Sequence, residues 1–153
     1  MKNSFKQELV APCGMDCNVC SGYLALQYDV KNQGILISYC KGCRPRDKKC
    51  AFLKKKCKHL INHTVQYCYE CPEYPCEHLR NIDTRYQTLF RMSLLENLTN
   101  IKENGIENFI EKQEEKWRCP TCGGVICCHN GLCFQCDNER LRNKKKKYRW
   151  EDD

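Results

Sequence analysis

The sequence predicts a small, irregular α+β fold in several short parts, and three observations predict it. Sixteen of the 153 residues are cysteine, roughly twice the density at which cysteine begins to define a fold. The cysteines gather at the two ends, ten within residues 1–80 and six within residues 119–137. Between them lies a cysteine-free segment, 81–118, with helical apolar spacing. Charged residues make up 29% of the chain and the mean hydropathy is -0.73, so apolar side chains supply only a thin core. A coordinative or covalent supplement is needed.

Spacing chooses between the two supplements. Five Cys-x-x-Cys pairs occur: Cys17/Cys20, Cys40/Cys43, Cys68/Cys71, Cys119/Cys122 and Cys133/Cys136. Each pair turns two sulfurs toward one point, which is half of a tetrahedral metal site. Disulfides require an oxidising compartment. Residues 1–13 show neither the apolar run nor the small-residue cleavage site of a secretory signal. No stretch approaches eighteen consecutive apolar residues. The expected location is therefore the cytoplasm, with reduced thiols and bound metal. Formal net charge is +7 with the thiols counted neutral. Each metal held by four thiolates subtracts two, so three sites would bring the chain to about +1. That offset weakens any argument from basicity alone to a nucleic-acid partner.

Four parts follow in order: a metal-binding module over 1–80, a helical hairpin packed on it over 81–118, a ribbon over 119–137 and a basic tail over 138–153. Within the first, Ser21 reads as the N-cap of a short helix reaching Asn32, with Leu24, Tyr28 and Lys31 at helical spacing and Gly34 closing it. Ile35-Leu36-Ile37 is a short apolar run, strand or helix end. In the second, Asp83 or Thr84 caps a helix with Tyr86, Leu89, Phe90, Leu94 and Leu98 on its stripe. Asn104-Gly105 stops that helix, and Ile106, Phe109, Ile110 and Trp117 line the next.

The most specific local signal is Cys119-Pro-Thr-Cys-Gly. Proline stiffens the entry, amides of the tight turn aim at the first sulfur, and Gly123 permits positive φ beneath the metal. Asn130-Gly131 is a hairpin signal that folds Cys133 and Cys136 onto the first pair. The expected ligands are Cys119, Cys122, Cys133 and Cys136, closed around a structural zinc. Asp137 stands where glycine is common. Cys127 and Cys128 are expected in the hairpin, one inward and one outward, off the metal.

The N-terminal run is Ala11-Pro-Cys13-Gly-Met-Asp-Cys17-Asn-Val-Cys20, then Cys40-Lys-Gly-Cys43, Cys50, Cys57, and Cys68-Tyr-Glu-Cys71-Pro-Glu-Tyr-Pro-Cys76-Glu. These motifs, with Trp117-x-Cys-Pro-x-Cys-Gly-Gly before the ribbon, resemble the bacterial and archaeal family known as domain of unknown function 3795. The resemblance runs from about Ala11 to Cys136 and excludes the tail and the doubled Cys127-Cys128. It implies metal binding through the cysteines and no particular reaction.

Two sites are expected from Cys13, Cys17, Cys20, Cys40, Cys43, Cys68, Cys71 and Cys76, with Cys50 and Cys57 as further candidates. The total is two to three Zn2+ per chain. An iron–sulfur redox protein is the rival reading, with a 4Fe–4S cluster on Cys13, Cys17, Cys20 and Cys76. Ten cysteines leave two over from two four-cysteine sites, and these two could join His59, His63 or His78 in a third site, although each histidine reads first as a surface or packing residue. Glu70/Glu73 and Glu114/Glu115 read as surface charge.

No phosphate loop, nucleotide fingerprint or nucleophile elbow occurs, so no enzyme is expected. The expected function is metal-dependent binding with a partner that the sequence leaves open, a protein among the candidates. The tail from Arg140 to Trp150 carries seven positive charges. It reads first as a solvated terminus. As an alternative it is a nucleic-acid contact, with Tyr148 and Trp150 as stacking groups.

Overall fold

The computed structural model describes residues 5–46 and 57–151, and side chains for all of these except Arg46. Cys50 lies outside the described residues. The architecture is mostly helical, and no sheet forms among the described residues. Among the described residues, backbone pairing is limited to three isolated bridges, Val10 with Asp16, Arg118 with Val125 and Ile126 with Cys133. The expected β component is therefore absent as sheet. Ile35 to Ile37 does alternate like a strand, with Ile35 and Ile37 buried and Leu36 81% exposed, but no neighbouring strand pairs with it.

Seven α-helices are described. In the N-terminal half they are short: α1 (Ser21–Gln27), α2 (Cys43–Arg46) and α3 (Lys58–Ile61). α1 ends earlier than its apolar spacing suggests. Asp29 takes a left-handed φ of 49°, and the chain continues as a 3-10 turn, Val30–Gln33, closed by Gly34 at φ 80°. The cap of α1 is Cys20 rather than Ser21, which lies inside the helix.

The middle segment holds three helices, not two. α4 (Glu77–Phe90) begins directly after Cys76, so Asp83 is an interior residue of that helix. Arg91 in the left-handed region ends it. Ser93 then caps α5 (Leu94–Asn104), its Oγ accepting from Glu96 N at 3.1 Å. The buried Asp83 carboxylate reinforces the same start, accepting from Ser93 Oγ at 2.9 Å and from Leu95 N at 3.1 Å. The break therefore comes from Ser93-x-x-Glu96, which is the sequence signature of a capping box. Gly105 separates α5 from α6 (Ile106–Lys116).

α5 is the central strut. It packs on α4, on α6 and on the turn that carries Cys68. Its Leu94 and Leu98 are fully buried. Asn97 Nδ2 donates to Gly14 O at 2.9 Å. Gly14 sits at φ +92°, and a Cβ there would lie 2.6 Å from Leu94 O, so only glycine fits where α5 meets the Cys13 turn.

The ribbon docks on the N-terminal half. Cys128 N donates to Val19 O at 2.9 Å, and Ser21 N donates to His129 Nδ1 at 3.1 Å. The tail touches the body at a few points, while most of its charged side chains remain exposed. It opens with α7 (Asn138–Asn143), whose Leu141 is fully buried. Arg142 Nε donates to Gln33 O at 2.8 Å. Trp150 Nε1 donates to Cys128 O at 2.9 Å, and its ring lies under the Arg91 guanidinium at 4.0 Å. Trp150 is thus seated against its own chain, while Tyr148 stays 46% exposed.

Candidate metal centre

Two turns converge at the C-terminal end. After Trp117 the chain enters the Cys119–Gly123 turn, closed by Gly123 N donating to Cys119 O at 2.9 Å. Gly123 adopts φ +76°, as the turn requires. Cys119 N donates to Gly124 O at 2.9 Å, returning the chain beneath the turn. The second turn, Cys133 to Asp137, is closed by Asp137 N donating to Cys133 O at 2.8 Å. Asp137 has φ -104°, so it does not stand in for a left-handed glycine. Its carboxylate instead accepts from Cys133 N at 2.9 Å and fixes the turn from outside.

The four ligand atoms of Cys119, Cys122, Cys133 and Cys136 lie within 4.8 Å of one another. Cys119 Sγ is 3.8 Å from Cys136 Sγ, and Cys122 Sγ is 3.6 Å from Cys133 Sγ. These separations far exceed the ~2.05 Å of a disulfide. They match the ~3.8 Å edge of a tetrahedron with metal–sulfur bonds of about 2.3 Å. Backbone donors surround the sulfurs: Gly124 N reaches Cys122 Sγ at 3.4 Å, and Cys136 N reaches Cys133 Sγ at 3.4 Å. The Cys122 amide, helped by that of Thr121, holds the Cys119 thiol down to about 7. Sharing protons with Cys122 and Cys119 pushes Cys136 up to about 12. One thiolate is thus favoured without any cation, and a bound cation would draw the rest to the same state.

Cys127 and Cys128 are both fully buried and stand outside this cluster. The expectation of one facing outward does not hold, because the hairpin is covered on both sides. Cys127 N donates to Leu132 O at 2.9 Å across a turn in which Gly131 alone is left-handed, and Trp150 lies against that glycine. Burial pushes both thiols up, which keeps them as protonated packing groups.

The N-terminal cysteines fall into two neighbourhoods. Cys17 hydrogen-bonds Cys43 through its side chain, and both neighbour Cys20, which in turn neighbours Cys40. Gly42 N donates to Cys40 Sγ at 3.3 Å. The second neighbourhood surrounds Cys68, whose thiol is pushed up by burial and then by Cys13, Cys57, Cys76 and Cys71. The Cys13/Cys17/Cys20/Cys76 grouping weighed for an iron–sulfur cluster is divided between these two sets. Cys57, a secondary candidate from sequence, takes its place beside Cys68.

Among the described residues, one further set of three donors lies within 4.8 Å: His59, Cys71 and Glu73. From sequence, Cys71 is a ligand candidate, His59 a possible partner in a third site, and Glu73 was missed. The signals were the short spacings Cys57-x-His59 and Cys71-x-Glu73, which place a nitrogen and a carboxylate two residues beyond a thiol.

The fold and these sites define a class: a mostly helical, cysteine-rich protein with a four-cysteine cluster and a His/Cys/Glu group able to hold metal ions. Over residues 9–81 the chain matches the family described as Protein of unknown function (DUF3795). The matched stretch contains ten of the cysteines and ends before the central helices α5 and α6 and the ribbon. No curated protein and no solved structure matches the chain.

Proposed function

We propose that the chain is a zinc-binding protein whose metal sites fix a compact binding module. The observation that carries this reading is the tetrahedral sulfur quartet of Cys119, Cys122, Cys133 and Cys136. Its 3.6 and 3.8 Å edges suit one ion at the centre. A cubane cluster would interpose four irons and hold the thiolates further apart. The quartet is complete, with four soft donors and no open position, so its zinc is structural. The Cys17/Cys20/Cys40/Cys43 neighbourhood pairs two more Cys-x-x-Cys turns and is proposed as a further zinc site.

Metal analysis of the purified full chain tests this. Cys122→Ser and Cys136→Ser each lose about one zinc per chain, and X-ray absorption gives zinc–sulfur distances of about 2.3 Å. Cys127→Ser and Cys128→Ser keep the full zinc count. A Cys128 variant that loses zinc beside a Cys136 variant that retains it would overturn the ligand set.

A further inference from the structure

Beside α3 lies a cavity of about 320 Å3, walled by Leu60, Val65 and Leu79 and by Cys57, Cys68 and Cys76. His59, Cys71 and Glu73 also line it, and their donor atoms lie within 4.8 Å of one another. Three donors of three kinds, nitrogen, sulfur and oxygen, thus converge beside a space far larger than one ion.

The histidine ring is positioned by its neighbour. Thr64 Oγ1 lies 3.1 Å from His59 O and 3.2 Å from His59 Nδ1. This contact on Nδ1 holds the ring in one orientation and leaves Nε2 as the nitrogen turned to the other two donors, the arrangement in which histidine binds metal. Nε2 faces Glu73 Oε2 at 3.7 Å, too long for a hydrogen bond. Nitrogen and oxygen ligands at about 2.1 Å from one tetrahedral ion stand roughly 3.4 Å apart, so a small inward movement suffices. Glu73 N donates to Cys71 Sγ at 3.4 Å, which fixes the sulfur within its turn beside the carboxylate.

We propose that His59 Nε2, Cys71 Sγ and the Glu73 carboxylate hold one divalent zinc-class ion in an open site whose fourth position faces the cavity and takes an exogenous ligand. A thiolate and a carboxylate balance the charge of the ion. The fourth ligand is therefore a neutral or singly anionic donor, water at rest and a small monodentate anion on exchange. A closed structural site has four protein ligands, whereas three with an open position is the arrangement of zinc sites that exchange ligands. The proposal shares with the reading above only the premise that the chain binds divalent metal.

Cobalt(II) substitution of the full chain, with azide as the probe ligand, tests it. In the wild-type protein azide shifts the visible cobalt bands. His59→Ala loses about one metal equivalent per chain and the azide response, and Glu73→Gln weakens both. The cobalt of the four-cysteine site persists in these variants and serves as the control for folding. Cys122→Ser loses that other equivalent and keeps the azide response, so failure of the structural site and failure of the open site are read separately. The proposal is overturned if azide leaves the wild-type spectrum unchanged, or if His59→Ala retains every metal equivalent or the azide response.

Discussion

His129 shows how much one side chain depends on its surroundings. It is 7% exposed, its Nδ1 accepts the Ser21 amide, and the rings of Phe90, Tyr86 and Tyr148 surround it at 4.6, 6.0 and 6.1 Å. Burial lowers its pKa from 6.5 to about 4. The folded state therefore prefers neutral imidazole, and the preference is complete above pH 6.5. It fades as pH falls toward 4, where the unfolded chain takes up a proton that the native state refuses. The whole effect amounts to about 3 kcal/mol at most. Asp16 slopes the other way. Burial raises it from 3.8 to about 6, so its contribution is full below pH 3.8 and lost as pH rises through 6. Comparing the wild type with His129→Phe cancels Asp16 and the thiols, which both proteins share. Between pH 6.5 and 4 the melting temperature of the wild type should fall more steeply than that of the variant. Parallel profiles would show that His129 is not held neutral. At this scale the four ribbon cysteines were legible because their spacing encodes the geometry. Asp137 was not, because its side chain works by accepting from Cys133 N rather than by its φ. His59 was legible only as one of three candidate histidines and Glu73 not at all, since only the folded chain brings α3 against the Cys68–Cys71 turn.

At the scale of elements, the apolar stripe of 81–118 was readable, but its division was not. Leu89, Phe90, Leu94 and Leu98 share one helical period in sequence, which suggests one helix. The chain instead breaks at Arg91, and Ser93 and Asp83 cap a new start. The capping box at Ser93 and Glu96 was visible in the sequence and weaker than the hydrophobic period that ran across it. The break divides the stripe by burial. Leu94 and Leu98 are fully buried against the Cys13 turn, whereas Leu89 is half-buried at the rim beside Trp150. Leu94→Ala or Leu98→Ala should therefore cost about 2–5 kcal/mol in denaturant unfolding, and Leu89→Ala well under that. Equal costs at Leu89 and Leu98 would mean that α4 and α5 still present a common face. The missing sheet has a related cause. Each arm of the ribbon is only two or three residues long, and its amides are spent on turns and sulfurs rather than on a ladder.

At the scale of the molecule, the modules that the sequence separates are joined by one apolar core, which runs from Leu9 and Cys13 through Leu79 and Leu98 to Cys127 and Phe134. The ribbon is held to the N-terminal half by the Cys128–Val19 and Ser21–His129 hydrogen bonds, and α7 by Arg142 on Gln33. Tyr28 carries the contact to the four-cysteine cluster itself, with its ring 6.4 Å from Phe134 and its hydroxyl near Gly124. On the proposed reading, loss of a metal held by the ribbon quartet therefore acts beyond residues 119–137. Without it, four thiolates repel one another or four thiols need protons, and the turns that seat Phe134 lose their anchor. A strong zinc chelator should accordingly lower the melting temperature of the full chain in a single transition, seen alike by far-ultraviolet circular dichroism of the helices and by tryptophan fluorescence of Trp117 and Trp150. Adding zinc back should restore both signals together. Two separate transitions would mean that the ribbon unfolds by itself while the helices stand. A metal-free protein that melts cooperatively at the original temperature would show that the apolar core suffices and that coordination contributes little to the fold.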